Sequence, residues 1–400
     1  MIYVRAFSCL FVAKIPMRKA EIIIIGGGVV GASAAYHLTM RGAKDVLILE
    51  REKQTGLGST GKATGGVRAQ FETDINIKMS LYSIDFFENW DFDCEYEPRG
   101  YLFFATDEKQ FEYLRRNVEK QKSLGVKDVE IVDRKTIAEI VNGLNCEDIV
   151  GGTFGRRDGF INPLGVLEGF IHSAIENGVK ILNDTNVLSI ETKNGKVKSV
   201  ETNRGVIECE KVVLCAGAWA RELAKTANVD LPVEPLKRQI VWAKSKRDFQ
   251  ANLPMVIDLG TGFHFRPAKD SRNEVLFAYP DADEKPSCDT NFDDGFVEKV
   301  YKRAAHRAPF LAETKVVREK CRAGLYENTP DHHAIIGKSA EIANLYFCCG
   351  FSGHGVMHSP ASGRAIAEIV LDGKADFLDV SCLSLERFAQ GELLHETAFI

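Results

Sequence analysis

The chain has 400 residues, of which 45% are hydrophobic and 27% are charged, and its formal net charge at pH 7 is -5. These proportions are typical of an ordinary globular protein. No run of lysine or arginine stands out, which argues against nucleic acid as a partner. No segment approaches the roughly 18 unbroken apolar residues of a membrane-spanning helix, so we predict no membrane span.

Ten cysteines are scattered along the sequence, and none of them forms a C-x-x-C pair. Zinc ribbons and most iron–sulfur patterns therefore lack support, and we predict no metal site. Scattered cysteines in a long chain are typical of reduced thiols, which indicates a cytoplasmic protein. Residues 1–16 are too short to span a bilayer and lack a small-residue cleavage site, so we interpret them as an extension that does not contribute to the fold.

The segment 21–31, EIIIIGGGVVG, predicts a strand that runs into a tight glycine turn. The isoleucine run at 22–25 is β-branched and apolar on both faces, as a buried parallel strand is. Residues 29–40 then have helical character. The stretch RGAKDVLILE continues with a turn and a second apolar strand that ends at Glu50. Together these elements predict a βαβ unit.

Gly26, Gly28 and Gly31 match the pattern G-x-G-x-x-G between this strand and this helix. Gly26 permits the tight turn, Gly28 lets the backbone approach a pyrophosphate, and Gly31 allows close helix–strand packing. The N–H groups and the positive dipole end of the helix would hold that anion. Glu50 follows Gly31 by 19 residues. This is near the spacing of a ribose-binding carboxylate, and an acid there disfavours NADP. We predict a dinucleotide site.

The chain does not continue as one uninterrupted Rossmann unit, as an NAD-binding domain usually does. It leaves after Glu50 through a glycine- and threonine-rich loop at 51–71, and a loop of that length is usually functional. Strand–glycine–helix patterns return at KVVLCAGAWA and near the C-terminus, whereas short strand-like runs fill 236–320. These features favour FAD over NAD.

We therefore predict an α/β fold with a discontinuous Rossmann-like FAD-binding domain and an inserted antiparallel α+β substrate domain. The domain bounds are given by segments that alternate along the chain. The FAD-binding domain comprises 17–95, 155–235 and 321–400, and the substrate-binding domain comprises 96–154 and 236–320.

The motifs STGKATGGVRAQF, CAGAW, LYENTPDHHAIIG and GFSGHGVMHSPASGRAIAE give the chain a resemblance to a known family. It resembles the D-amino acid oxidase-like (DAO) FAD-dependent oxidoreductases, which include glycine oxidase, monomeric sarcosine oxidase and dimethylglycine dehydrogenase. Within that family its nearest likeness is to the β subunits of heterotetrameric sarcosine oxidase and of dye-linked L-proline dehydrogenase. The resemblance extends from about residue 20 to about residue 385.

The resemblance implies that separate parts of the chain converge on FAD. Arg51 would lie by the adenosine, and Val187 would present its backbone to the adenine. The helix that begins near His354 would stabilise negative charge on the reduced ring through its N–H groups. The pyrophosphate and one side of the flavin ring would be lined by Ser59, Thr60, Ala63, Thr64, Gly65 and Gly66. The remaining contacts would come from Ala216, Gly217 and Trp219, and, at the pyrimidine end, from Gly353, His354, Gly355, Val356 and Met357.

Three residues are candidates for contact with the substrate. The resemblance implies that Arg68 binds the substrate carboxylate, a task that suits a guanidinium because it offers a planar pair of donors. The alternative is a loop arginine that pairs with a surface acid. Tyr326 matches a family tyrosine that faces the substrate, and the alternative is a core tyrosine. His264, on a predicted strand, either touches substrate or packs in the interior.

Two departures from the family pattern matter. Monomeric sarcosine oxidases carry a flavin-linked cysteine where Gly324 stands here, and Cys321 is three residues away, so we expect non-covalent FAD. Those oxidases also use a lysine on a substrate-domain strand to help oxygen react, and the corresponding stretch NEVLFAYP has none. A second family lysine, which helps to hold the carboxylate, falls at Met357. The first absence favours a dehydrogenase, and the second leaves Arg68 as the main anion-binding residue.

The resemblance implies oxidation of the C–N bond of a small amino or imino acid, such as sarcosine, L-proline or glycine, by hydride transfer to flavin. One alternative is an FAD-dependent 2-hydroxy acid or glycerol-phosphate dehydrogenase or oxidase, which would need a base such as His264 or His354. Another is an electron-transfer subunit that is inactive without partner chains. An electron acceptor or hetero-oligomeric subunits are therefore expected as partners, besides the substrate.

Overall fold

The computed structural model describes residues 19–269 and 271–397, and within them the strands form two large β-sheets and a two-stranded ribbon. The extension predicted at 1–16 lies outside the described residues. The strands are β1 Lys19–Ile25, β2 Val46–Leu49, β3 Gly66–Val67, β4 Tyr101–Ala105, β5 Val129–Val132, β6 Gly151–Gly155, β7 Gly159–Phe160, β8 Lys180–Leu182, β9 Val187–Lys193, β10 Lys196–Thr202, β11 Gly205–Leu214, β12 Glu234–Lys244, β13 Met255–Asp258, β14 His264–Pro267, β15 Glu274–Ala278, β16 Lys315–Val316, β17 Arg322–Asn328, β18 Ile335–Lys338 and β19 Leu345–Cys349. The α-helices are α1 Val29–Met40, α2 Ser59–Lys62, α3 Asp74–Asn89, α4 Glu108–Ser123, α5 Arg134–Ile140, α6 Pro163–Glu176, α7 Ala220–Thr226, α8 Gly295–Arg307, α9 Pro309–Ala312, α10 Gly355–Asp372 and α11 Glu386–Gln390.

The first sheet is eight-stranded, with the order β18-β19-β11-β1-β2-β8 and the hairpin β9–β10 attached to β11. The pairs from β19 to β8 are parallel, whereas β18 and the hairpin are antiparallel. Residues 22–25 of β1 are buried, as predicted from the isoleucine run. This sheet, with its crossover helices, confirms the predicted α/β class with a Rossmann-like domain.

Hydrophobic residues cover both faces of this sheet. One face packs against α1, α3, α6 and α10 in a core that includes Ile24, Leu38 and Ile366. The other face packs against the β9–β10 hairpin and α7, through residues such as Ile23 and Leu214. None of the helices among the described residues combines the length and the apolar character that crossing a lipid bilayer requires.

The second sheet is nine-stranded, with the order β16-β12-β15-β14-β13-β4-β6-β5 and β17 paired to β12. Its pairs are antiparallel, as predicted, except for the parallel pair β13–β4. The helices α5, α8 and α9 contribute to the core on one of its faces. The predicted division into domains stays a prediction. Its boundary at 321 separates β17 from β12, although these strands pair continuously from Glu234 to Ile240.

The position of the site follows from the parallel strands. The carboxyl ends of β1, β2, β11 and β19 lie at the same edge of the first sheet because these strands are parallel neighbours. The chain leaves these ends through glycine-containing turns. Cys215 N–H donates to Ile25 O at 2.9 Å, and Gly26 N–H donates to Leu49 O at 2.9 Å. The turns are therefore held together at the edge where ligands bind in open α/β sheets.

Candidate active site

The glycine fingerprint forms a tight turn between β1 and α1. Gly26 has φ of +109°, and a Cβ at this position would lie 2.4 Å from Cys215 O. A Cβ at Gly31 would lie 2.0 Å from Gly26 O, so only glycine allows α1 to pack this closely against the turn. Gly28 is the N-cap of α1 and has no side chain to cap it, while Val29 N–H in the first turn donates to Thr60 Oγ1 at 3.1 Å. Its backbone is open to a cavity, as close approach of a phosphate requires.

Glu50 comes directly after β2 and lies against the glycine turn. Its carboxylate accepts hydrogen bonds from Gly27 N–H at 2.8 Å and from Glu52 N–H at 2.9 Å. These two bonds fix the carboxylate and leave further lone pairs on its oxygens for the hydroxyls of a ligand. Next to it, the Arg51 guanidinium carbon lies 3.4 Å from the centre of the Trp219 ring. This pair borders the same end of the cavity.

The cavity has a volume of about 560 Å³ and extends from Glu50 to the second sheet. It is lined by every residue that the sequence predicted to bind cofactor or substrate, with the exception of Gly31. Gly31 is instead the packing residue that the fingerprint requires. The structure thus brings the predicted residues together, and their individual roles stay predictions.

The predicted loop at 51–71 contains the short helix α2 and the strand β3, and side chains of the second sheet hold it. Arg322 donates from Nε to Lys62 O at 3.1 Å and from Nη2 to Ala63 O at 3.0 Å. Arg266 donates from Nη2 to Thr64 O. Ser59 Oγ donates to Leu325 O at 2.8 Å. Since the loop carbonyls are occupied in this way, the loop is fixed along one wall of the cavity.

The C-terminal glycine loop forms another wall. Gly353 has φ of +98°, and a Cβ there would lie 2.5 Å from Cε2 of Tyr326. His354 is the N-cap of α10, which begins at Gly355, so the predicted helix start is where the sequence placed it. The His354 ring meets the Phe71 ring edge-on at 5.0 Å. Burial lowers the pKa of His354 well below its ordinary value, which keeps the imidazole neutral at neutral pH.

Arg68 follows β3 and is buried, with 4% of its surface exposed. Its guanidinium stacks on the Phe71 ring at 3.7 Å and donates to Gln70 O. It is therefore not the surface-paired loop arginine that the sequence left open. The segment after it is fixed by Asp158, which accepts from Ala69 N–H at 2.7 Å and from Gln70 Nε2 at 2.8 Å.

Tyr326 and His264 reach the cavity from β17 and β14. Burial raises the pKa of Tyr326, and the charges of Arg238 and Arg68 act in the opposite direction. His264 Nδ1 lies 2.9 Å from Gly262 O, and burial lowers the pKa of this histidine. Both residues are half-buried and line the cavity, and their contact with a substrate stays a prediction.

The sequence analysis missed several polar residues of this site. Arg238 on β12 and Lys62 on α2 line the cavity, and so does Glu327, which accepts from Gly350 N–H at 2.9 Å. Burial raises the pKa of Glu327 to about 7. Strand alternation places Arg238 on the same face as Leu236 and Ile240, but it does not show that this face borders the cavity. Asp158 had no signal, since its contacts are with residues 88 and 89 positions away.

Cys321 lies away from the cavity, in the core of the second sheet. Its Sγ accepts from Trp242 N–H at 3.3 Å. Gly324 itself lines the cavity, where a Cβ would lie 3.1 Å from the Cβ of Lys62. Among the described residues, no group of three or more metal-ligating side chains is arranged to hold a metal ion. The cytoplasmic location stays a prediction.

These residues fit FAD. The open backbone at Gly28 and the start of α1 suit a pyrophosphate, and the fixed carboxylate of Glu50 suits a ribose. The cavity continues from there past the loop at 59–66 to α10, so it has room for an elongated dinucleotide. Fold and site together define an α/β protein of the dinucleotide-binding class.

Comparisons with known proteins agree with an FAD-binding site. The family model described as "FAD dependent oxidoreductase" (DAO) matches residues 21–369. The chain therefore belongs to the DAO family of FAD-dependent oxidoreductases, as the sequence motifs predicted. It is 31% identical to FAD-dependent oxidoreductase domain-containing protein 1 of Xenopus laevis, over 96% of this chain and 85% of that protein.

Two solved structures are also similar. The crystal structure of L-proline dehydrogenase from P. horikoshii has a TM-score of 0.87 and 29% identity, and the match covers 94% of this chain and 100% of that one. The crystal structure of glycine oxidase from Bacillus cereus has a TM-score of 0.76 and 26% identity, covering 89% of this chain and 96% of that one.

Proposed function

We propose that the protein binds FAD without a covalent bond and oxidises the C–N bond of a small amino or imino acid to an imine. The observation that carries this proposal is the position of Arg68, a buried guanidinium that lines the same cavity as the glycine turn. The names of the two similar structures, an L-proline dehydrogenase and a glycine oxidase, favour the same class of substrate.

Arg68 would bind the substrate carboxylate through its planar pair of N–H donors. Met255 and Ile257 line the cavity beside it, and these buried apolar side chains would exclude water from the reacting carbon. Bound FAD would accept the hydride and so carry the redox chemistry. The protein's own contribution is to orient the substrate in the cavity.

His264 is suited to orient the substrate nitrogen. When its Nδ1–H donates to Gly262 O, Nε2 is left as an acceptor. Burial lowers the pKa of His264, so the imidazole is neutral at neutral pH. Nε2 would then accept a hydrogen bond from an N–H of the substrate and orient the neutral amine, which is the form that C–N oxidation needs.

Anaerobic mixing of the FAD-loaded protein with sarcosine, L-proline, glycine and D-amino acids tests the proposal. At least one of them should bleach the flavin absorbance, and the Arg68→Gln variant should bleach far more slowly. If only 2-hydroxy acids or glycerol phosphate bleach the flavin, the C–N assignment is wrong. If the lone chain is inert and gains activity with co-purifying chains, it is an electron-transfer subunit.

The non-covalent attachment rests on Gly324, which offers no sulfur to the cavity, and on the distance of Cys321 from it. Precipitation with acid should release all the flavin into the supernatant. The Cys321→Ser variant should release the same amount. Yellow colour that stays with the precipitated wild-type protein would contradict this part of the proposal.

We also propose that the protein works as a dehydrogenase, because β15 has the sequence EVLFA and carries no lysine. The reduced protein should then be reoxidised much faster by an artificial dye than by oxygen. Lys62, which lines the cavity, is the cation to examine if oxygen proves fast. Fast oxidation by air in wild type and slow oxidation in Lys62→Met would reverse the assignment to an oxidase.

A further inference from the structure

Arg238 lines the cavity, but the proposed reaction assigns it no role. It lies on β12 opposite Gly324 of β17. Gly324 has no side chain of its own, and a Cβ there would lie 3.1 Å from the Cβ of Lys62, which also lines the cavity. Arg238 lines the same cavity as Arg68, His264 and Tyr326.

The charge of Arg238 is poorly compensated. Within residues 19–269 and 271–397, no aspartate or glutamate lies within ion-pair distance of its guanidinium. Nη1 donates to Lys237 O at 3.2 Å, whereas Nε is buried and finds no acceptor among the same residues. Burial lowers the pKa of Arg238. Arg238 is half-buried, and since a partly desolvated cation without a counter-ion is unfavourable, its position favours an anionic ligand.

The nearest acidic residues do not supply that anion. Asp281 and Glu284, on the loop after β15, act on Arg238 only from beyond ion-pair distance. Asp281 already pairs with Lys299 at 2.8 Å, and Glu284 pairs with Lys237 at 3.7 Å. These two acidic residues of the loop are therefore already paired with lysines. They do not form an ion pair with Arg238, which faces the cavity.

Arg238 and Arg68 both line the cavity that contains Tyr326. The Arg238 guanidinium carbon lies 5.5 Å from the centre of the Tyr326 ring, and the charges of both arginines act on the Tyr326 hydroxyl. The charge of Arg238 also acts on His264, and that of Arg68 acts on His354. A ligand that fills the cavity beside Tyr326 therefore meets two guanidinium groups.

We propose that Arg238 binds a second acidic group of the substrate, so that the pocket selects an amino or imino dicarboxylate over a monocarboxylate. The inference rests on the proposed function, in which Arg68 holds the first carboxylate. A guanidinium suits the second carboxylate for the same reason as the first, since its fork matches the two oxygens. The anions of the cofactor belong elsewhere, because the pyrophosphate position at Gly28 follows β1 in the other sheet.

Two unreactive thioethers test this inference by binding alone. Methylthioacetate has one carboxylate and thiodiglycolate has two, and neither has a nitrogen to be oxidised. The shift of the flavin absorbance on titration into the FAD-loaded protein gives each dissociation constant. We expect thiodiglycolate to bind at least about tenfold more tightly than methylthioacetate, the effect of one added charged hydrogen-bonded pair.

The variants assign the effect to its residue. Arg238→Gln should weaken thiodiglycolate about 10- to 100-fold and leave methylthioacetate unchanged, whereas Arg68→Gln should weaken both ligands. Arg238→Lys should recover only part of the loss, because lysine keeps the charge and lacks the fork. Arg247→Gln, an exposed change on the loop after β12, removes the same charge and should change neither constant.

Other outcomes overturn the inference in distinguishable ways. Equal dissociation constants of the two thioethers in wild type, or equal losses of affinity for both in Arg238→Gln, would show that Arg238 binds no second carboxylate. If sarcosine or L-proline still reduces the flavin in that case, the proposed function stands. Weaker FAD binding in Arg238→Gln, with the thioether constants unchanged, would assign the guanidinium to the cofactor. If no amine reduces the flavin at all, the proposed function itself is wrong.

Discussion

The Nε2 amide of Gln70 donates a hydrogen bond to Oδ2 of Asp158 at 2.8 Å. The other carboxylate oxygen accepts from Ala69 N–H, and Oε1 of Gln70 accepts from the Thr153 hydroxyl at 2.7 Å. All of these groups are buried. Because the network fixes the two residues that directly follow Arg68, it determines where that guanidinium can lie.

Asp158→Asn tests this arrangement. The new amide has one acceptor in place of two, and Gln70 cannot rotate to compensate without losing its bond to Thr153. An unpaired buried group costs about 1–3 kcal/mol, so carboxylate ligands should bind about tenfold more weakly. Titration of methylthioacetate against flavin absorbance measures the loss. Unchanged binding would mean that Arg68 is positioned without Asp158.

Two glycines of the fingerprint allow cofactor binding and folding to be tested separately. A Cβ at Gly28 would lie 3.4 Å from Thr60 Oγ1, an ordinary contact, and would point to the cavity. Gly28→Ala should therefore leave the apoprotein as stable as wild type and weaken FAD binding by about tenfold or more, roughly 1.4 kcal/mol. Fluorescence quenching of free FAD on binding gives the affinity.

Gly31→Ala is the matched control, because it places its Cβ 2.0 Å from Gly26 O and away from the cavity lining. Overpacking of this kind should lower the free energy of unfolding of the apoprotein by about 1–3 kcal/mol in urea denaturation. If both variants lost stability equally, Gly28 would also be a packing residue, and its role in phosphate approach would lose its support.

Burial raises the pKa of Glu327 to about 7, from an ordinary value of 4.5. Between these two values the folded protein holds a proton that the unfolded chain has lost. The free energy of unfolding of the apoprotein should therefore fall as pH rises from about 4.5 to about 7, and then level off. The contribution of Glu327 to this fall is on the order of 3 kcal/mol.

Urea denaturation at about pH 5 and about pH 8 measures this difference. Asp158 also makes the free energy of unfolding fall as pH rises, since burial raises its pKa to about 7 as well. The informative quantity is therefore the smaller pH dependence of Glu327→Gln relative to wild type. Glu298→Gln, a change at an exposed position of α8, should keep the full dependence. A Glu327→Gln variant that keeps it too would show that Glu327 is ionised in the folded protein.

The sequence predicted those parts of the site that depend on residues close to one another along the chain. The run 22–25 and the glycines after it require a strand followed by a tight turn, and the structure has both. The resemblance then indicated which loops meet at the cavity. Asp158 and Arg238 were missed because their roles depend on neighbours that only tertiary pairing provides. Asp158 gains its role from Gln70, and Arg238 lies opposite Gly324 only because β12 pairs with β17.

Gly353 tests how the C-terminal loop sets the position of Tyr326. Its φ is +98°, and a Cβ there would lie 2.5 Å from the Tyr326 ring. Gly353→Ala should thus lower the free energy of unfolding by about 1–3 kcal/mol, from backbone strain and from the ring contact. Gly355→Ala is the control. Gly355 is the first residue of α10, and a Cβ there would lie 3.6 Å from Phe351, which is an ordinary contact.

A double-mutant cycle with Tyr326→Ala separates the two causes, with urea denaturation of the apoproteins as the measurement. If the ring contact dominates, Gly353→Ala should cost much less once the ring is gone, and a coupling of about 1 kcal/mol or more should appear. If the cost is the same in both backgrounds, backbone strain alone explains it. In that case the loop does not set the position of Tyr326, and glycine is needed at 353 only because its φ is positive.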